Sequence, residues 1–105
     1  MADFMKMLQQ AQQVQGKLQQ MQQELESKTV SASSGGGMVT VTADGKGQVR
    51  QVRIDPTVVN AADVEMLEDL VLAAVTEAQK KAAELAQAEM QKVTGGLSLP
   101  FKLPF

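Results

Sequence analysis

Twelve carboxylates and ten Lys or Arg side chains supply nearly all the reactive chemistry of this 105-residue chain. It has no His and no Cys, which removes thiol nucleophiles, the common zinc sites and any Ser-His-Asp triad. Catalysis needs titratable groups that converge in one pocket. The carboxylates are Asp3, Glu24, Glu26, Asp44, Asp55, Asp63, Glu65, Glu68, Asp69, Glu77, Glu84 and Glu89. Glu65 and Asp69 make the one suggestive pair. Four residues apart on a helix, they share a face and could hold a hard cation such as Mg²⁺. No further ligand stands beside them, and negative charge at a helix start explains them at least as well. The expectation is no enzyme: no catalytic residue, no metal, no cofactor and no small-molecule substrate.

The cations point elsewhere. Lys17 and Lys28 lie on or just after a first helix. Lys46, Arg50 and Arg53 lie on a central hairpin, and Lys80, Lys81 and Lys92 on a second helix. Net charge is −2, so any nucleic acid must be held by local patches. Arg50 and Arg53 are three apart and face opposite ways on a regular strand; a bulge between them would bring them to one face. Phe4, Phe101 and Phe105 are the only aromatic residues. That argues against single-stranded or sequence-specific RNA recognition, which leans on aromatic platforms. Contact with the phosphates of duplex DNA is left open. Gly35–Gly37 looks like a phosphate-cradling loop, but no Gly-Lys-Ser/Thr follows and a strand comes next, so it reads as a loop or wide turn.

The elements that must position these charges follow from periodicity. Gly35–Pro56 reads as a hairpin around the turn Asp44-Gly45-Lys46-Gly47. Val39, Val41 and Ala43 alternate with threonines, and Val52 and Ile54 share a face of the return strand. Val49 is out of phase, which a bulge near Arg50-Gln51 would absorb. Thr29–Ser33 supplies a third short strand. Residues 3–27 read as a helix whose Phe4, Met7, Ala11, Val14, Leu18, Met21 and Leu25 form a strict heptad seam, for a helix of the same chain or of another. A second helix occupies about 62–94, with Asn60 as candidate N-cap and Gly95-Gly96 as stop. Its first half, Met66 to Val75, is apolar nearly all round and needs cover on several sides. Its alanine-rich distal half looks like an exposed arm. The tail 97–105, LSLPFKLPF, carries two prolines and cannot be a regular helix; packing across its own or a partner's surface is the simplest role. Helices this long around so small a sheet argue for one domain, 1–105, that forms a homodimer with projecting arms. No membrane span and no secretory signal is visible, and the lack of Cys fits a reducing cytoplasm.

The order of five segments resembles the YbaB/EbfC family of bacterial nucleoid-associated proteins: MKMLQQAQQVQGKLQQMQQEL at the start, then Gly35–Thr42 (GGGMVTVT), Val52–Pro56 (VRIDP), Glu65–Val71 (EMLEDLV) and Val93–Leu99 (VTGGLSL). The resemblance implies an α+β fold of order α-β-β-β-α, dimerising with helical arms like tweezers. It implies a cytoplasmic, nucleoid-located protein that binds double-stranded DNA and alters its conformation, with roles in DNA protection and gene expression. The shared blocks look structural. Family members often carry more basic residues on the arms than the Lys80, Lys81 and Lys92 of this second helix. The candidate phosphate contacts are therefore Lys17, Lys28, Lys80 and Lys81, with Arg50 and Arg53 secondary. The alternative is an adaptor that binds another protein through the first helix or the tail.

Overall fold

The computed structural model describes residues 2–95; the tail at 97–105, with the packing expected of it, lies outside the described residues. Helix α1 is Ala2–Ser27. Three strands follow, β1 (Thr29–Ser34), β2 (Val39–Asp44) and β3 (Val49–Ile54), then helix α2, Val64–Gly95. The strands form one antiparallel sheet in the order β1-β2-β3. This is the α-β-β-β-α order expected above.

Each turn has a local cause. Gly35, Gly36 and Gly37 all have positive φ, at 60°, 67° and 95°, so the β1–β2 connection uses a backbone region that residues with a Cβ rarely adopt. In the β2–β3 turn, the Asp44 carboxylate accepts the N–H of Lys46 at 2.9 Å and of Gln48 at 3.0 Å, an Asx-type closure. The bulge falls where the phase of Val49 demands it: Thr42 pairs with Gln51 and Ala43 with Val49, leaving Arg50 as the extra residue. It returns Val49 to the face of Val52 and Ile54, which pair with Val41 and Val39. At the end of β3, Asp55 accepts from the Thr57 N–H at 2.9 Å and Pro56 opens a short 3₁₀ turn.

Helix α2 begins later than Asn60 implies. Asp63 is the cap that reaches into the helix, accepting from the Met66 N–H at 3.2 Å, while Asn60 accepts from the Ala62 N–H in a separate turn. The packing of α2 also reverses the expectation drawn from its composition. Ala74, Ala78 and Ala82 have no solvent exposure, and the first two sit with Ala32, Val39, Val41 and Ala43 in one core cluster. Spaced four apart, they form a stripe of small side chains that lets the helix axis approach the sheet closely. The bulkier Leu67, Leu70, Val71 and Val75 pack only at the margin, and Leu72 is 66% exposed. The alanine-rich half is therefore buried at its start, at Ala78 and Ala82, while Ala83, Glu84, Gln87 and Ala88 beyond it are exposed and the segment runs beside the end of α1.

The projecting element is α1. It packs at its C-terminal end, where Met21 and Leu25 are buried. With α2, these two residues and the β2–β3 turn line a groove of about 610 Å³. The radius of gyration is 19.7 Å and the long axis 73 Å, against a radius of about 13 Å for a compact domain of this size.

Candidate nucleic-acid interface

The positions of the cations follow from helix geometry. Lys6, Lys17 and Lys28 are spaced eleven apart. Eleven residues make nearly three helical turns, so the three align along one flank of α1 at intervals of about 16.5 Å. Lys28 continues the helical path, since its N–H bonds the Glu24 carbonyl at 3.0 Å. Lys6 is not among the contacts expected above; the repeat spacing alone places it in this row. From Phe4 to Gln23, Lys6 and Lys17 are the only charged residues.

The other candidates divide by partner. Lys28 donates to Glu89 at 2.6 Å, and Lys92 reaches the same carboxylate oxygen at 3.4 Å. Glu89 is nearly buried, yet the hydrogen bond from Lys28 holds its carboxyl below the usual range, overcoming the opposing effect of burial. The same bond raises Lys28. Two cations share one carboxylate here, so a positive charge is left over at the root of α1. Lys81 donates to the Ser31 carbonyl at 2.9 Å, a neutral acceptor. Among the described residues no side-chain bond engages Lys6, Lys17, Arg53 or Lys80.

Two cations are neutralised. Lys46 pairs with Glu26 at 2.6 Å. Arg50 pairs with Asp44 at 2.7 Å. Burial pushes Asp44 up, but the Gln48 N–H, the Arg50 guanidinium and the Lys46 N–H together hold it below its ordinary value. Arg50 thus braces the hairpin turn. Arg53 stands across from Thr40 and Gln51 from Thr42, on a sheet face where the hydroxyls of Ser31 and Thr42 meet at 3.1 Å and those of Ser33 and Thr40 at 2.9 Å. The bulge does not make Arg50 and Arg53 a matched pair, because Asp44 claims the first.

The opposite end is acidic. From Ile54 to Gln79 the charged residues are Asp55, Asp63, Glu65, Glu68, Asp69 and Glu77, with no Lys or Arg. Glu65 and Asp69 line a shallow pocket of about 370 Å³ with Asp63, Met66 and Leu70. No group of three or more metal-ligating side chains converges there or elsewhere among the described residues. No helix of the described residues is long and apolar enough to cross a membrane.

A long helical arm on a small sheet, whose charges between Phe4 and Gln23 are Lys6 and Lys17 alone, has the form of a binding module. The comparisons give that class its family. Residues 1–97 match the model of the YbaB/EbfC DNA-binding family, and the chain belongs to it. A nucleoid-associated protein of Gemmatimonas aurantiaca is 56% identical over 98% of this chain and 99% of its own. Another, of Thermoanaerobacter pseudethanolicus, is 51% identical over 90% and 85%. The crystal structure of an uncharacterized Helicobacter pylori protein, HP0035, superposes with a TM-score of 0.78. It covers 88% of this chain and 97% of that one, at 21% identity, and shows the same fold.

Proposed function

We propose that this protein binds double-stranded DNA as a homodimer within the nucleoid and alters its conformation, with consequences for nucleoid organisation, DNA protection and gene expression. The observation that carries this reading is the segregation of charge. The exposed arm from Phe4 to Gln23 has two lysines and no carboxylate, whereas the stretch from Ile54 to Gln79 has six carboxylates and no cation. A polyanion approaches such a molecule arm first. Lys6, Lys17, Lys80 and Lys81 contact phosphate, Lys28 adds its share of the surplus at the arm's root, and Arg53 is secondary. Lys46 and Arg50 serve the hairpin.

The second copy has a surface to occupy. Val49, Val52 and Ile54 are 40%, 45% and 39% exposed, although they lie on the sheet face that α2 covers over β1 and β2. Leu72 on α2 is exposed as well, at 66%. A core of mostly alanine and valine beside so much exposed apolar surface is what an obligate dimer looks like when one copy is removed.

Fluorescence anisotropy with a generic duplex, repeated across a salt series, tests the DNA reading. Affinity falls linearly on a log–log plot, and Lys6→Gln with Lys17→Gln flattens the slope by about 3.6 if all four lysines of a dimer contact phosphate. An unchanged slope removes the α1 row from the interface. Absence of binding at low salt favours the adaptor reading. Sedimentation tests the dimer: the native chain runs at twice its 11.3 kDa, and Val52→Glu with Leu72→Glu runs at one copy.

A further inference from the structure

We infer that Gly45 is the positioning residue of the α1 arm: its missing side chain lets the β2–β3 turn latch onto the C-terminal end of α1, and that latch fixes where Lys6 and Lys17 stand. Among the described residues of α1, only Met21 and Leu25 are buried. The rest of the helix, back to Phe4, takes its direction from this short root. From Leu25 to Phe4 the arm is about 32 Å long, so a small displacement at the root is a large one at the tip.

The turn meets the root at one residue. The Gly45 N–H donates to the Leu25 carbonyl at 2.8 Å and to the Lys28 carbonyl at 3.0 Å. The last carbonyls of a helix have no partner within it, and here the turn supplies one. A Cβ at residue 45 would lie 2.7 Å from the Leu25 carbonyl oxygen, 2.7 Å from Leu25 Cδ2 and 3.0 Å from Leu25 Cα. Two of those atoms are backbone, so no change of rotamer relieves the overlap. Restoring an ordinary contact of 3.4 Å moves the helix away by about 0.7 Å. With Met21 as the pivot, about 6 Å along the axis, that shift at Leu25 becomes about 3 Å at Phe4. A displacement of that size is as long as a hydrogen bond.

Turn geometry does not account for this glycine. Gly47, two residues on, has a φ of 88° and uses the conformational freedom that only glycine offers cheaply. Gly45 is not among the residues with positive φ, so alanine fits the turn backbone there and offends only α1. A Cβ at Gly47 meets nothing within 4 Å. The two glycines of one turn therefore have separate duties: Gly47 shapes the turn, and Gly45 admits the helix. Neighbouring contacts support the latch. Lys46 pairs with Glu26 of α1 at 2.6 Å, and the buried Asp44 carboxylate holds the turn closed through the Lys46 and Gln48 N–H groups. The consequence for DNA rests on the reading proposed above; the latch itself does not.

Residual dipolar couplings of the full chain test the latch without DNA, because they read the direction of each amide. In the native protein, the amides of residues 4–23, 39–54 and 64–82 fit one alignment. In Gly45→Ala, the sheet and α2 keep that fit and the α1 amides leave it. Gly47→Ala, which strains the turn without touching α1, keeps all three segments together. The inference is overturned if the native α1 never shares the fit, or if the α1 amides of Gly45→Ala stay in it. It is overturned equally if the sheet of Gly45→Ala loses its own fit, since the glycine then holds the whole fold, or if Gly47→Ala displaces α1 as far. A duplex titration across a salt series reads the consequence. The slope for Gly45→Ala falls toward that of Lys6→Gln with Lys17→Gln, and Gly47→Ala keeps the native slope. A native slope in a Gly45→Ala protein whose arm has moved overturns the positioning role. A native chain that binds no duplex fails the DNA reading alone, since the couplings still decide the latch.

Discussion

Helix α2 meets the sheet through Ala74 and Ala78, while α1 packs only at its end, through Met21 and Leu25. The two helices flank the same three strands, yet small side chains hold one and a heptad seam carries the other away. Their charges differ in the same sense. The first half of α2 carries only acidic charge, whereas α1 between Phe4 and Gln23 carries only Lys6 and Lys17, with Asp3 ahead of them. The difference separates packing from exposed charge along the chain. The element packed most closely on the sheet has the least freedom to present a charged surface, and the element with the least packing carries the row of lysines. Breaking α2 should therefore cost stability, and altering α1 should cost binding.

The largest expected effect lies on the packed side. Ala78→Leu forces three extra heavy atoms into a stripe with no solvent exposure, and overpacking of this kind costs about 1–3 kcal/mol or more. Ala88→Leu makes the same change on an exposed face of the same helix and should stay within about 0.5 kcal/mol. Urea unfolding of the two variants beside the native chain decides the matter. Equal midpoints would mean that the alanine stripe is not what holds α2 to the sheet.

That stripe also marks where sequence reasoning stopped. The strand order, the bulge demanded by the phase of Val49, the Asp44 turn and the seam of α1 were all legible, because each is a local pattern with one structural meaning. Alanine is not of that kind. It is the best helix former and scarcely hydrophobic, so Ala74, Ala78 and Ala82 look the same whether they face water or a sheet. Bulky Leu72 invites the opposite error, because its size implies burial and yet it is 66% exposed. The candidate cations, Lys6 excepted, were legible from the elements that carry them. The acceptors of Lys28, Lys46, Arg50 and Lys81 were not, since Glu89 lies 61 positions from Lys28 and no spacing rule links them.

A middle-sized effect concerns which cations bind. Lys17→Gln removes a charge with no partner among the described residues, and should flatten the salt dependence of DNA affinity by about 0.9 for each phosphate that is no longer neutralised. Lys46→Gln removes a charge already paired with Glu26 at 2.6 Å and should leave the slope close to native. Glu89→Gln should move binding the other way. It releases Lys28 and Lys92 from their shared carboxylate, so affinity at low salt rises even as the junction between the helices weakens. If Lys46→Gln and Lys17→Gln lower the slope equally, pairing within the chain does not select the interface.

The smallest effect is a pH dependence at the junction of the two helices, and its sign can be worked out. The Glu89 carboxyl is held below its ordinary value, first by the hydrogen bond from Lys28 and against the opposing pull of burial. A group whose folded value is depressed stabilises the fold fully above its unfolded value, and the contribution drains as pH falls through the folded one. Lys28 is raised, chiefly by the same bond. Its contribution is full below the ordinary lysine value and is lost as pH climbs through the raised one. The pair therefore stabilises the junction across the whole neutral range and fails only at the extremes. Asp44 is also held down, by the Gln48 and Lys46 N–H groups and Arg50 against its own burial, so acid loosens the hairpin turn as well. Comparing native protein with Glu89→Gln separates the two, because Asp44 is common to both. The gap between their unfolding midpoints should be constant through neutral pH and close on entering the acid range below ordinary carboxylates. A gap that persists unchanged into strong acid would show that Glu89 acts through packing rather than charge, and the tie between the root of α1 and α2 would then not be electrostatic.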